Sequence, residues 1–222
     1  MSLSRDIPLE PVRSALLFVD VQNYCARPDG GEFDGMGRED IDSKYGWFFG
    51  QLEDHVLANM AALQAGCRAA GIEVMYTVIE SLTRDGRDRG LDYKITGFNV
   101  PRGSWDAKVL DRIAPGEDEI VIPKTASSVF NATNIDYVLR NLGVTQLVIA
   151  GLITDQCVES AVRDACDKGY LVTLVTDACA TYSAERHAAS LSAIRGYCRQ
   201  ITTAGLLGEL RHGSGPADGS PG

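Results

Sequence analysis

Short apolar segments that read as strands alternate along this chain with amphipathic segments that read as helices. That alternation restricts the fold more than any other feature. Ser14 to Asp20, Ile72 to Ile79, Glu119 to Pro123 and Gln146 to Ala150 are the first four expected strands. A helix over Gln51 to Ala70 carries Val56, Leu57, Met60, Leu63 and Cys67 on one face and stops at Gly71. A shorter helix, Asn134 to Asn141, ends at Gly143. Helix, strand and helix then follow at about 155–168, 170–176 and 184–198, and Gln200 to Thr203 is a short last strand. Two stretches lie outside the pattern: a polar, Gly-rich loop from Arg27 to about Gly46, and a charged stretch from Glu80 to Asp118 that holds Phe98 and Trp105. A loop that long inside a domain points to function. Strands alternating with helices imply βαβ units and a mostly parallel sheet covered on both faces, an α/β three-layer αβα sandwich. Residues 12–210 form the expected single domain, after an N-terminal extension of residues 1–11. The tail, 211–222, is rich in Gly, Ser and Pro and is expected to be disordered.

Composition narrows the function classes. The 222 residues, 45% hydrophobic and 23% charged, suffice for one good core. A formal charge of −9 argues against nucleic acid and anionic membrane as partners, since both call for clustered Lys and Arg. No apolar run approaches the roughly 20 residues that cross a bilayer. The first residues, MSLSRDIP, lack an apolar signal core, so the expected location is cytoplasmic. The six cysteines, at 25, 67, 157, 166, 179 and 198, show neither C-x-x-C pairs nor metal-finger spacing and are expected to be free and mostly buried.

Three chemically complementary residues each follow an apolar strand: Asp20 after ALLFV, Lys124 after IVIP, and Cys157 in GLITDQCV. Parallel sheets bind ligands beyond the carboxyl ends of their strands, and right-handed crossovers bring those ends to one side, so the three are expected in one crevice. Near the first turn of a helix Cys157 would feel the helix dipole and unpaired N–H groups, and with the Lys124 ammonium nearby it is expected to be held as thiolate. Asp20 would take the thiol proton and later pass it to a leaving amine. The backbone N–H of Cys157 and one from the Leu152–Ile153 turn are candidate oxyanion donors. Each residue also has a structural reading: Cys157 as packing, Asp20 as a turn former, Lys124 as a solvated charge.

These three motifs, FVDVQN at 18–23, VIPKTASSVF at 121–130 and GLITDQCV with AVRDA at 161–165, resemble the isochorismatase-like cysteine hydrolases over about residues 12 to 205. The resemblance implies a six-stranded parallel sheet flanked by helices and a triad of Asp20, Lys124 and Cys157. It also implies a cis peptide at Leu152–Ile153, so that the amides of Ile153 and Cys157 form the oxyanion hole. The implied reaction is hydrolysis of a C–N bond in a small amide or ureido compound through a thioester. Relatives that act on isochorismate cleave a vinyl ether without a thiol, so the presence of Cys157 favours amide chemistry. Relatives that hydrolyse nicotinamide carry a metal site of Asp and His after the second strand, where this chain reads TVIESLTR, and its histidines, His55, His187 and His212, lie elsewhere. No metal and no cofactor are therefore expected. Relatives commonly form dimers or tetramers, and a homodimer or homotetramer is expected here.

For substrate, the polar stretch offers Glu80, Arg84, Lys94 and Trp105, and GSWD at 103–106 is similar to the ureidoacrylate amidohydrolases. A surface ion-pair network is the alternative for those charges. Asn23 and Tyr24 are expected at the pocket entrance and Gln156 against the substrate, with Thr154 supporting the turn. Phe33, Trp47 and Phe48 are expected as a lid or a subunit contact. Linear ureido compounds such as ureidoacrylate, biuret or triuret lead the substrate expectations. Vinyl-ether cleavage, a nicotinamidase-like amidase, a thiol peroxidase and a non-catalytic binding protein of the same fold remain open.

Overall fold

Six strands form one all-parallel sheet in a computed structural model that describes residues 4–213. The strands are β1 (Ser14–Val19), β2 (Glu73–Ile79), β3 (Ile120–Lys124), β4 (Gln146–Leu152), β5 (Leu171–Ala180) and β6 (Arg199–Ile201). Their spatial order is β3-β2-β1-β4-β5-β6. From β1 the chain steps outward through β2 to β3, then returns to lay β4 on the other flank of β1. The strand order thus reverses between β1 and β4, and a crevice opens beyond their carboxyl ends. Every residue of β1 and β4 is buried, as a strand covered by helices on both faces requires.

The helices are α1 (Asn23–Ala26), α2 (Arg38–Gln51), α3 (Leu57–Ala69), α4 (Leu91–Thr96), α5 (Val129–Ala132), α6 (Ile135–Asn141), α7 (Glu159–Asp167), α8 (Ala184–Ile194) and α9 (Thr203–Gly213). α3 sinks Met60, Leu63 and Cys67 fully into the core, the face its spacing predicted. α9 packs against α3, where Gly66 makes room: a Cβ there would lie 2.2 Å from Leu207 Cδ2.

Several segments differ from the sequence expectation. The loop expected from Arg27 to Gly46 contains a 3-10 turn, Gly31–Phe33, and most of α2. α2 runs on through a π-helical turn, Leu52–Val56, into α3. It escapes pattern reading because only Ile41 and Phe48 of its 14 residues are buried, which leaves no apolar stripe. The charged stretch holds α4 and a 3-10 turn, Asp111–Ile113. β5 extends to Ala180, with a register shift against β4 between Ile149 and Gly151. Arg211, His212 and Gly213, expected in a disordered tail, belong to α9, and the rest of that tail, 214–222, lies outside the described residues. Among the described residues no helix is long and apolar enough to cross a membrane.

Candidate active site

Asp20 is the first residue past β1, with φ +52, a left-handed conformation that Asp and Asn tolerate better than most residues. Its N–H donates to the Thr77 carbonyl at 3.1 Å, which turns the chain off the sheet edge. Thr77 Oγ1 donates back to Asp20 Oδ1 at 2.7 Å. Lys124 ends β3, two strands away, and its long side chain spans that gap under the crevice floor: Nζ lies 2.8 Å from Asp20 Oδ2. The same ammonium donates to Cys157 Sγ at 3.3 Å, to Tyr93 Oη at 3.3 Å and to the Ala126 carbonyl at 2.9 Å. The three residues predicted from distant motifs therefore meet in one cluster. The Lys124 and Asp20 side chains are 0% and 2% exposed, so solvent screens the pair little.

Cys157 is reached by a close approach of backbone. Gly151, at φ +132, lies against β1 so tightly that a Cβ would sit 2.3 Å from the Val19 carbonyl oxygen. The Leu152–Ile153 peptide is cis. A π-helical turn, Thr154–Val158, then leads into α7 and carries the thiol. Side chains of this turn tie it to α8. Asp155 accepts from Thr181 Oγ1 at 2.5 Å and from Arg186 Nε at 2.6 Å, and the Thr154 hydroxyl meets His187 Nδ1 at 3.0 Å.

The expectation of a resting thiolate is corrected. Burial pushes the Cys157 thiol up to about 12; the Lys124 ammonium opposes this, while the Asp20 carboxylate reinforces it. Burial disfavours the charge of Lys124, but the Asp20 carboxylate and Cys157 hold its proton more tightly than in water. Burial likewise raises the Tyr93 phenol.

The crevice is a cavity of about 390 Å³ lined by Asp20, Ile153, Gln156 and Cys157, as anticipated. It is also lined by Phe98, noted in the charged stretch, and by residues that the sequence reading did not place at the site, including Cys25, Glu32, Tyr93 and Tyr182. Glu32 accepts a hydrogen bond from the Tyr182 hydroxyl. Burial raises its carboxyl to about 7 against the opposing effect of that bond. A mid-segment aromatic, Tyr93, was the available signal in the charged stretch; Glu32 offered none, standing in what read as a loop.

Six anticipated substrate contacts fall outside the cavity lining. Glu80 accepts from the Gly103 N–H, and Lys94 is exposed on α4. Arg84 lines a separate surface groove with Arg87 and Arg102. Trp105 is 45% exposed beneath the Arg27 guanidinium, and the Asn23 amide donates to its carbonyl. Tyr24 is buried edge-on against Phe98. Phe33 and Phe48 pack with Tyr45, Phe49 and Tyr182 in an aromatic cluster beside the cavity, and Trp47 is 39% exposed. Among the described residues no group of three or more His, Cys, Asp or Glu side chains is placed to hold a metal ion.

Known proteins resemble this chain, some in sequence and others in fold. The ureidoacrylate amidohydrolase RutB of Agrobacterium fabrum is 31% identical over 196 residues, 78% of this chain and 78% of the relative. Its counterpart from Rhizobium rhizogenes is 27% identical over 225 residues, 89% of this chain and 87% of the relative. Among solved structures, a cysteine hydrolase from Pseudomonas syringae pv. phaseolicola superposes with a TM-score of 0.78 at 24% identity, covering 93% of this chain and 96% of the other. An N-carbamoylsarcosine amidase from Thermoplasma acidophilum gives 0.64 at 25% identity over 86% and 96%. The isochorismatase domain model matches residues 14–205, a span that holds Asp20, Lys124 and Cys157 together with all six strands, and the chain belongs to the isochorismatase family.

Proposed function

We propose that this chain is a cysteine-dependent amidohydrolase that cleaves a C–N bond of a small linear ureido or carbamoyl compound. The observation that carries the reading is the buried ammonium of Lys124, 2.8 Å from the Asp20 carboxylate and 3.3 Å from the Cys157 sulfur, two groups that both line a small cavity. The names of the RutB relatives support the same reaction class.

Because the resting sulfur is a thiol, proton removal accompanies attack. Asp20 takes the S–H proton as sulfur bonds to the carbonyl carbon, and the carbonyl π pair moves to oxygen. Ile153 and Cys157 both line the cavity, and their backbone N–H groups are the proposed donors to that oxyanion. When the tetrahedral intermediate collapses, the C–N bond breaks and the proton on Asp20 goes to the departing nitrogen, which leaves as ammonia or an amine. Water then attacks the thioester, Asp20 accepts its proton and returns it to sulfur, and the acid or carbamate departs. Lys124 stays charged throughout and compensates the buried carboxylate.

The test is an ammonia-release assay over small amides and ureas, with Cys157→Ala alongside. Turnover by the parent and at least a thousandfold loss in the variant, on the order of 4 kcal/mol in barrier, is the expected result. Unimpaired C–O cleavage of a vinyl ether by Cys157→Ala would instead assign the vinyl-ether chemistry, and no turnover of any candidate would leave a binding protein.

A further inference from the structure

The charge of the cavity carries the substrate assignment one step further. Three acidic side chains line it, Asp20, Glu32 and Asp92, and no Lys, Arg or His does among the described residues. The ammonium below the floor, Lys124, is fully buried and already engaged by Asp20, Tyr93, Ala126 and Cys157. Of the guanidiniums of the charged stretch, Arg84, Arg87 and Arg102 face a different groove, and Arg89 is taken up by the carbonyls of Gly86 and Phe98. Arg186, whose guanidinium carbon stands 5.1 Å from the Tyr182 ring centroid, is bound by Asp155. A substrate carboxylate entering here would be desolvated beside like charges with no free cation to meet it, which disfavours binding strongly.

Glu32 is held in a fixed position. It stands on the 3-10 turn Gly31–Phe33 and accepts from Tyr182. The Tyr182 ring is fixed by edge contacts with Tyr45 at 5.1 Å and Phe48 at 5.4 Å. Asp20 and Glu32 line the same small cavity, as does Cys25 between them in sequence, whose thiol donates to the Asp20 main-chain carbonyl at 3.2 Å.

We propose that Glu32, positioned by Tyr182, recognises the non-reacting end of the substrate, and that this end is a hydrogen-bond-donating nitrogen group, uncharged or cationic, and not a carboxylate. The inference rests on the amidohydrolase reading and narrows it from ureido compounds at large to those without an acid group. Near neutral pH, with its carboxyl at about 7, Glu32 accepts an amide N–H in one protonation state and donates to a carbonyl in the other.

The test compares two ureido compounds that differ only at the far end, N-carbamoylglycinamide and N-carbamoylglycine. For the wild type, kcat/KM is expected to favour the amide at least a hundredfold. Glu32→Gln should narrow that ratio at least tenfold, mainly by lowering KM for the acid, and Tyr182→Phe should narrow it less. A wild-type ratio near one, a preference for the acid, or a ratio unchanged in both variants overturns the proposal. Should Glu32→Gln not fold, the wild-type ratio and Tyr182→Phe decide. If the wild type turns over neither compound, the hydrolase reading is decided by the wider ammonia-release assay, and labelling of Cys157 by iodoacetamide decides the charge question separately. Protection by malonamide alone supports the proposal, and equal or better protection by malonate overturns it.

Discussion

The Thr77 hydroxyl donates to Asp20 Oδ1 at 2.7 Å, which leaves the other carboxylate oxygen to Lys124. Strand β2, lying between the strands that carry the acid and the amine, thus supplies the bond that aims the carboxylate. Thr77→Val keeps the shape and removes the donor. The expected outcome is a fall in kcat of about tenfold with KM nearly unchanged, and a stability loss of about 1–2 kcal/mol by denaturant titration.

Asp20→Asn tests the proton-transfer role and the charge coupling together. Asn tolerates the left-handed backbone at this position, so the fold should persist. Burial sets the high Cys157 value first, and the Asp20 carboxylate adds to it. Removing that carboxylate lowers the thiol from about 12, so more thiolate exists at any pH below it. Hydrolysis should drop at least a thousandfold while iodoacetamide labelling of Cys157 at pH 8 becomes faster, by about tenfold for each unit of pKa. In the parent, labelling should climb with pH through 9 and 10 without a plateau. A plateau near pH 7 would contradict the neutral resting thiol.

Lys124→Met leaves the Asp20 carboxylate buried without its partner. Breaking a buried pair from one side costs about 3–5 kcal/mol, and the variant should melt well below the parent. Lys124→Met with Asp20→Asn removes both charges and should recover most of that stability, but none of the activity. Thermal melts of the four proteins in this cycle measure the coupling.

Gly151→Ala forces a Cβ to within 2.3 Å of the Val19 oxygen at a φ of +132, so β1 and β4 must part. A loss above about 3 kcal/mol, with inactive protein, is expected. Gly143→Ala, also at positive φ but with nothing within 4 Å, should cost only about 1 kcal/mol. Parallel denaturant titrations separate steric closure from backbone preference.

The nucleophile turn depends on α8 through Asp155. Asp155→Ala removes its bonds to Thr181 and Arg186 and should lower kcat about tenfold, with about 1–2 kcal/mol of stability lost. Restored activity in Asp155→Asn, whose amide oxygen can still accept from Arg186 while its NH2 donates to the Thr181 hydroxyl, would mark this as positioning of the turn. Steady-state kinetics on both variants is the measurement.

How much of this was legible beforehand follows burial. Strands β1 and β4 are buried on both faces, so their continuous apolar runs fixed the sheet, and residues just past strand ends in a parallel sheet must share an edge. That reasoning placed Asp20, Lys124 and Cys157 together. It failed for α2, whose charged surface and few buried residues carry no period, and with α2 misread the preceding turn that bears Glu32 was invisible as a site element. It also mistook charge density for function in the 80–106 stretch: Arg84 and Lys94 point elsewhere, while the buried Tyr93 between them reaches Lys124. The ionisation of Cys157 escaped because desolvation depends on what covers a group, which spacing along the chain does not encode.

The amine that completes the cluster comes from the outermost strand on one flank, whereas the sulfur hangs from the opposite half of the sheet. Neither half of the sheet holds more than two of the three groups, so the cluster exists only where β3 is docked on β2. A form of the chain without β3 in place would hold the acid and the sulfur but not the amine between them.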